Sequence, residues 1–206
     1  MSDKIINNIS KYYTEKVLSY GSTPQGVDWN GLESQENRFA QLLKLIENEN
    51  SENYSLLDYG CGFGALLTYL KLRNKNVGYI GYDISEQMLK KAIEQHNDEL
   101  TWLNKLELSL KVDYVIASGL FNVKLDQSII DWENYIIKTL DEINSIAVKG
   151  FSFNILTAYS DQEYMKDYLY YASPEKYFKQ CKLSYSKNVS LLHDYGLYEF
   201  TILVRK

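Results

Sequence analysis

Cysteine and histidine are scarce in this chain of 206 residues, which contains two of each. The cysteines, Cys61 and Cys181, are far apart in sequence and form neither a disulfide framework nor a metal-binding pattern. The longest apolar runs are far shorter than a membrane span, and the polar residues 1–10 contain no hydrophobic signal core. We therefore expect a cytoplasmic protein with no membrane partner.

The chain also lacks an excess of positive charge. Its formal net charge is -5, and lysine and arginine are scattered without a dense basic run. A nucleic-acid binder needs cations gathered on one face to meet the phosphate backbone. The composition therefore disfavours a nucleic-acid partner and favours a small-molecule substrate.

The hydrophobic pattern alternates between strand and helix along most of the chain. Strands are predicted at 54–59, 77–82, 100–103, 112–117 and 147–156, followed by a final strand pair at 183–192 and 198–205. Helices are predicted at 4–19, 33–48, 64–72 and 128–144, with further helix within 161–181 that is broken at Ser173-Pro174. Another helix begins after the N-cap candidate Ser85 and is expected to point Met88, Leu89, Ala92 and Ile93 inward. Such alternation predicts an α/β fold with a mostly parallel sheet, helices on both faces and a C-terminal antiparallel hairpin. The length suits one domain over residues 1–206.

A glycine-rich turn joins the first predicted strand to the following helix. It reads Asp58-Tyr59-Gly60-Cys61-Gly62-Phe63-Gly64. Glycines allow the backbone to turn tightly and approach a ligand, and ligands of open α/β sheets bind at the carboxyl ends of the strands. Asp83 ends the second strand, where a carboxylate can accept hydrogen bonds from both hydroxyls of a ribose. The pattern predicts a nucleoside-containing cofactor.

Two cofactors are compatible with this turn. Gly60, Gly62 and Ala65 satisfy the G-x-G-x-x-G/A pattern of nicotinamide dinucleotide binding. That pattern usually has an apolar residue two positions before its first glycine, where this chain has Asp58. A buried carboxylate needs a partner, which an amino group and a sulfonium would supply, whereas a pyrophosphate would be repelled.

The glycine turn resembles the first motif of class I S-adenosylmethionine-dependent methyltransferases, and residues 79–89 resemble the second. The resemblance covers 54–122 as a cofactor-binding core and implies a Rossmann-like fold with S-adenosylmethionine as cofactor. It places Gly60 and Gly62 beside the methionine part of the cofactor and Asp58 near its amino group. It further implies that Asp83 holds the ribose. The residues expected to pack on the adenine are Ile84 and Met88.

Four further residues complete the predicted cofactor site. Cys61 is expected there as a small residue packed beside the glycines, and Ser118 follows the fourth strand. Asn104 is the nearest candidate for the residue after the third strand that reads the adenine amino group in this family. Arg38 either reaches the cofactor carboxylate as a forked donor or pairs with a helix neighbour.

The N-terminal residues 1–32 are predicted to form a helix and a loop that acts as a lid, because long punctuated loops often bind ligands. Asp28 and Trp29 lie in this loop, and we expect Trp29 to contact the cofactor. His193 lies in the predicted hairpin turn and is either a turn residue or the general base. His96 is expected on a solvated helix face.

The acceptor is expected to be a small polar molecule. The sequence after the fourth strand, residues 117–122, lacks the Asn/Asp-Pro-Pro-aromatic motif of amino-group methyltransferases. A tyrosine-rich insertion at 159–185 is predicted to lie above the carboxyl edge of the sheet, where it would form a pocket with hydroxyl tips. Two alternatives remain: an NAD-dependent oxidoreductase, and a noncatalytic binding protein on the methyltransferase fold.

Overall fold

A computed structural model describes residues 2–27, 31–49, 53–75, 77–96, 101–107 and 109–206. The helices are α1 (Ser2–Tyr20), α2 (Leu32–Leu43), α3 (Ala65–Leu72), α4 (Glu86–His96), α5 (Ile129–Ile146) and α6 (Pro174–Ser184). The strands are β1 (Ser55–Tyr59), β2 (Gly78–Tyr82), β3 (Thr101–Leu103), β4 (Val112–Ala117), β5 (Ala147–Leu156), β6 (Asn188–Leu192) and β7 (Glu199–Arg205). Within these ranges no helix is both long and apolar enough to cross a bilayer.

The strands form one sheet of seven in the order β3-β2-β1-β4-β5-β7-β6. The first five strands along the chain run parallel, whereas β7 is antiparallel to both β5 and β6. The predicted α/β class, with a parallel sheet and a C-terminal antiparallel hairpin, is confirmed. Because the carboxyl ends of parallel strands meet at one edge, the loops after β1, β2 and β4 come together there.

Buried side chains form a core on each face of the sheet. Neighbouring residues of a strand point to opposite faces, so Leu56 packs in the core beneath α2 and α3, and Leu57 packs in the core beneath α5 and α6. The α5 stripe is fully buried and consists of Trp132, Ile136, Leu140 and Ile143. Full burial of side chains of this size stabilises the fold by about 1.5–3 kcal/mol each, which anchors the helix on the sheet.

The helix predicted within 161–181 is wrong over most of its length. Only Gln162–Tyr164 form a 3-10 turn, and α6 begins at Pro174, where the Ser173 side chain accepts a hydrogen bond from the Lys176 backbone. The intervening segment bonds to neighbouring chain instead: Tyr170 N donates to Asn122 O, and Ala172 N donates to Leu156 O, both at 2.8 Å. These tertiary hydrogen bonds satisfy the backbone in place of a helix.

Two expectations for α4 are also corrected. Ile93, predicted to point inward, is exposed, and His96, predicted to be solvated, is buried. His96 Nε2 lies 3.0 Å from Gly64 O, and its ring stacks on Trp102 with centroids 5.9 Å apart. The helix is therefore rotated so that its last turn packs against the glycine turn.

Candidate active site

The glycine turn after β1 is tied to the end of the neighbouring strand. Gly60 N and Cys61 N both donate to Tyr82 O, at 2.8 and 2.9 Å. Gly60, Gly62 and Gly64 have φ of 82°, 54° and 83°, a left-handed conformation that residues with a Cβ adopt only at a cost. The glycines are thus required by the path of the backbone.

The same turn has little room for side chains. A Cβ on Gly60 would lie 3.0 Å from Leu120 Cδ1, and one on Gly62 would lie 3.3 Å from Val27 Cγ1. The bare backbone of the turn therefore forms a cradle against which a ligand can lie closely.

Asp83 joins this turn to the start of α4. Its Oδ2 accepts from Gly62 N at 2.9 Å, and its Oδ1 accepts from Ser85 N at 2.8 Å. Burial raises the pKa of Asp83 to about 6, although the two backbone donors act in the opposite direction. Each carboxylate oxygen keeps a second lone pair, so hydroxyls of a ribose could still be bound.

Asp58 lies next to Asp83 and has one identified donor. Tyr79 Oη donates to its Oδ2 at 2.6 Å. Burial raises the pKa of Asp58 to about 7, and the nearby charge of Asp83 adds to that rise. Two buried carboxylates at one end of a cavity are costly unless they are paired with positive charge, which a bound ammonium or sulfonium would supply.

The first cavity opens above this turn and has an empty volume of about 1070 Å³, counting its open mouth. Eight predicted cofactor residues line it: Asp58, Gly60, Cys61, Gly62, Asp83, Ile84, Met88 and Ser118. The Cys61 thiol donates to Gly62 O at 3.6 Å, and burial raises its pKa well above the ordinary value, so it packs as a neutral thiol. Ser118 Oγ is buried and has no hydrogen-bond partner among the described residues, which leaves it available to a ligand.

Helix α1 covers the first cavity. Ile6, Ile9 and Tyr13 line it from above. Ser10 Oγ donates to Ile84 O at 3.3 Å, and Thr14 Oγ1 lies 2.7 Å from Ser85 Oγ, which holds α1 against the start of α4.

The back wall of this cavity was missed by sequence reasoning. It comes from the ends of β1 and β2 and from α5, and consists of Tyr59, Tyr82, Tyr135, Thr139 and Glu142. Tyr59 Oη donates to Glu142 Oε1 at 3.4 Å, and burial raises the pKa of Glu142. The only signal in the sequence was Thr139, a polar residue directly before the stripe residue Leu140, and the structure shows it to be buried.

Three predicted site residues are not brought to the first cavity. Asn104 is exposed and lines a shallow groove beside α4. His193 is exposed at the β6–β7 turn, with its ring 5.9 Å from that of Tyr159, and it lines neither the first cavity nor the second. Arg38 is buried in an ion pair, its Nε donating to Glu199 Oε2 at 2.6 Å. Trp29, like Asp28, lies outside the described residues.

Arg38 belongs to a buried polar chain that ends at the loop after β4. Glu199 Oε1 accepts from Asn154 Nδ2 at 2.9 Å, and Asn154 Oδ1 accepts from Gly119 N at 2.7 Å. Asn154 and Glu199 are fully buried. Because each partner fixes the orientation of the next, this series of hydrogen bonds holds Gly119 in position.

A second cavity adjoins the first and shares Tyr13, Val27 and Gly119 with it. Its empty volume is about 1570 Å³, again counting the open mouth. Six tyrosines line it: Tyr13, Tyr20, Tyr164, Tyr168, Tyr171 and Tyr198. Its walls come from α1, the Gly119 loop, the β6–β7 turn and the tyrosine-rich segment before α6.

Comparison with known proteins gives a consistent family. A model described as a methyltransferase domain matches residues 57–150. A Mycobacterium tuberculosis protein assigned as a methyltransferase, Rv1506c, is 46% identical over 158 residues, which cover 76% of this chain and 95% of that protein.

Solved structures share the fold. The complex of DhpI with S-adenosylhomocysteine aligns with a TM-score of 0.70 at 14% identity, covering 100% of this chain and 98% of that one. An S-adenosylmethionine-dependent methyltransferase from Clostridium acetobutylicum aligns with a TM-score of 0.59 at 15% identity, covering 97% and 98%.

Proposed function

This chain belongs to the class I S-adenosylmethionine-dependent methyltransferase family, and we propose that it methylates a small polar molecule bound in the second cavity. The observation that supports this proposal is the junction of the two cavities at Tyr13, Val27 and Gly119. A cofactor in the first cavity and an acceptor in the second would meet there.

The residues of the first cavity fit the cofactor chemically. S-adenosylmethionine, when bound, supplies a methyl group on a positively charged sulfur, and this sulfur becomes a neutral thioether when the methyl group is transferred. Asp58 would face its amino group, Asp83 its ribose, and the backbone of Gly60 and Gly62 its methionine portion. Two buried carboxylates suit this cationic ligand and would repel the pyrophosphate of NAD.

The protein contributes positioning and exclusion of water. Methyl transfer from a sulfonium needs little covalent assistance, so the alignment of two bound reactants carries most of the rate enhancement. Helix α1 closes the cofactor cavity from above, and the buried chain through Asn154 holds Gly119 at the junction. Since neither cavity has a histidine among its described lining residues, we assign no catalytic role to His193.

The character of the second cavity favours a small molecule over a nucleic acid. Tyrosines give it apolar walls with hydroxyl tips, which is the usual make-up of a small-molecule site. A polyanion would require many gathered cations, and the chain carries a net charge of -5.

A methyl-transfer screen tests the proposal. The full-length protein is incubated with methyl-labelled cofactor and, separately, total RNA, DNA and a small-metabolite extract. We expect label in the metabolite fraction only, and less label with the Asp83→Ala variant at a cofactor concentration that does not saturate it. Label in RNA or DNA with none in metabolites would contradict the small-molecule assignment while leaving the methyltransferase family intact.

A further inference from the structure

A buried glutamine lines the first cavity and leaves its amide to be bound by a ligand. Gln35 lies near the start of α2, and only 4% of its surface is exposed. It lines the first cavity, and its side-chain amide makes no hydrogen bond in the part of the chain that the structure describes. A buried amide without a partner costs free energy, so a ligand that supplies the missing hydrogen bonds would be stabilised here.

The charges of the first cavity call for an uncharged donor of this kind. Its acidic members are Asp58, Asp83 and Glu142, and no lysine, arginine or histidine is found among its described lining residues. The cofactor carries its amino group and its carboxylate on the same carbon. An amino group at Asp58 therefore brings the cofactor carboxylate close to that aspartate, and like charges repel each other. Uncharged donors must bind the cofactor carboxylate if it is to remain there.

Gln35 and Asp58 belong to the same side of the sheet. Residues two apart in a strand share a face, so Asp58 points to the face of Leu56, which packs in the core beneath α2 and α3. The hydrogen-bond donor of Asp58, Tyr79, packs in that core as well. Phe39, one turn after Gln35 on α2, is also part of that core and lines the first cavity. Gln35 therefore approaches the cavity from the side of Asp58.

A second uncharged donor follows β4. Ile116 packs in the same core beneath α2 and α3, and Ser118, two positions further along the chain, lines the first cavity. The Ser118 Oγ is buried and has no hydrogen-bond partner among the described residues. Tyr59, by contrast, packs in the core on the opposite face, and its hydroxyl already donates to Glu142. Gln35 and Ser118 are thus the side-chain donors best placed to bind a carboxylate near Asp58.

Building on the proposed placement of S-adenosylmethionine in the first cavity, we infer that the Gln35 amide binds the cofactor carboxylate, together with Ser118 Oγ. Asp58 would bind the amino group on the same carbon. These three side chains would recognise the α-amino acid end of the cofactor and distinguish it from a cofactor that lacks the carboxylate. Arg38, which the sequence suggested for this role, is engaged by Glu199 instead.

Calorimetry of the full-length protein with two ligands tests the assignment. S-adenosylmethionine and decarboxylated S-adenosylmethionine share the sulfonium, the ribose and the amino group, and they differ in the carboxylate. Gln35→Leu preserves the approximate size of the side chain and removes the amide. We expect this variant to bind S-adenosylmethionine about 10- to 100-fold more weakly than wild type, the effect of losing hydrogen bonds to a charged group. Its affinity for the decarboxylated ligand, measured by displacement of S-adenosylhomocysteine where direct binding is weak, should equal that of wild type.

Further variants connect this preference to the carboxylate. Gln35→Lys should raise the preference for S-adenosylmethionine over the decarboxylated ligand above that of wild type, because the added cation attracts only the ligand that has a carboxylate. Ser118→Ala should lower the preference, as Gln35→Leu does. Gln41→Leu is the matched control, since Gln41 is buried on the same helix and lines neither cavity. Its affinity for both ligands should equal that of wild type.

Asp83→Ala separates this inference from the proposed cofactor site, because both ligands carry the ribose and should lose affinity alike. Unchanged affinity for both ligands in Asp83→Ala would overturn the placement of the cofactor and this inference with it. If Asp83→Ala weakens both ligands but Gln35→Leu binds S-adenosylmethionine as wild type does, only the role of Gln35 is overturned. Equal losses for the two ligands in Gln35→Leu would likewise show that Gln35 does not bind the carboxylate.

Discussion

Replacement of Asp58 by asparagine should stabilise the protein in the absence of cofactor and weaken cofactor binding. Asp58 is buried with one identified donor, Tyr79 Oη, and burial raises its pKa to about 7. An asparagine oxygen can still accept from Tyr79, so Asp58→Asn removes the buried charge and keeps this hydrogen bond. The Asp58 carboxylate would thus serve cofactor binding, although its buried charge lowers the stability of the cofactor-free protein.

The pKa sets the size and the pH window of the effect. Raising the pKa from 3.8 to about 7 corresponds to about 4 kcal/mol, at about 1.36 kcal/mol per pKa unit. Between these values the folded protein binds a proton that the unfolded chain does not, so the free energy of unfolding falls as pH rises. Asp58→Asn removes this dependence. The variant should match wild type below about pH 4 and exceed it by up to about 4 kcal/mol above about pH 7.

Urea unfolding across this pH range measures the difference, and calorimetry with S-adenosylhomocysteine measures the loss of affinity. Asp83→Asn is the comparison, because it removes a buried charge but also loses an acceptor for Gly62 N or Ser85 N. It should therefore gain less stability. If Asp58→Asn is no more stable than wild type at about pH 8, burial of the Asp58 charge does not lower the free energy of unfolding, and the reasoning fails.

Three further predictions follow from the same contacts. S-adenosylhomocysteine should raise the protease protection of residues 1–32, because α1 covers the cofactor cavity; identical protection with and without it would refute a lid. Glu199→Gln should destabilise the fold by about 3–5 kcal/mol in urea by leaving Arg38 buried without its charge partner. The double variant Glu199→Gln with Arg38→Met should recover part of that loss. A double variant as destabilised as Glu199→Gln alone would contradict the coupling of Arg38 and Glu199. Gly62→Ala should lower stability by about 1–2 kcal/mol in thermal melts because of its positive φ, and an unchanged melting temperature would contradict the requirement for glycine at this position.

The cofactor end of the site was predictable because it depends on local sequence. Asp58 is the penultimate residue of β1 and Asp83 directly follows β2. The two strands pair in parallel, so both residues lie at the same edge of the sheet. The turn glycines follow from the same geometry. The strand pattern, together with the resemblance to the two methyltransferase motifs, therefore identified eight residues that line one cavity.

The rest of the site depends on tertiary packing. Arg38 and its partner Glu199 are 161 positions apart, and no local pattern connects them. Glu142 and Tyr135 reach the cavity only because α5 packs on the sheet, where Glu142 accepts a hydrogen bond from Tyr59 at the end of β1. The hairpin containing His193 was recognised from its alternation, but tertiary packing decides that Gly196, Leu197 and Tyr198 of its turn line the second cavity and that His193 does not.

Calorimetric titration with S-adenosylhomocysteine and with NAD tests the central claim most directly. The account predicts binding of one S-adenosylhomocysteine per chain, no binding of NAD, and affinity weakened by about 1–3 kcal/mol in Asp83→Ala through lost hydrogen bonds to a charged acceptor. Tight binding of NAD without binding of S-adenosylhomocysteine would contradict the account. Unchanged affinity in a folded Asp83→Ala variant would remove Asp83 from the site.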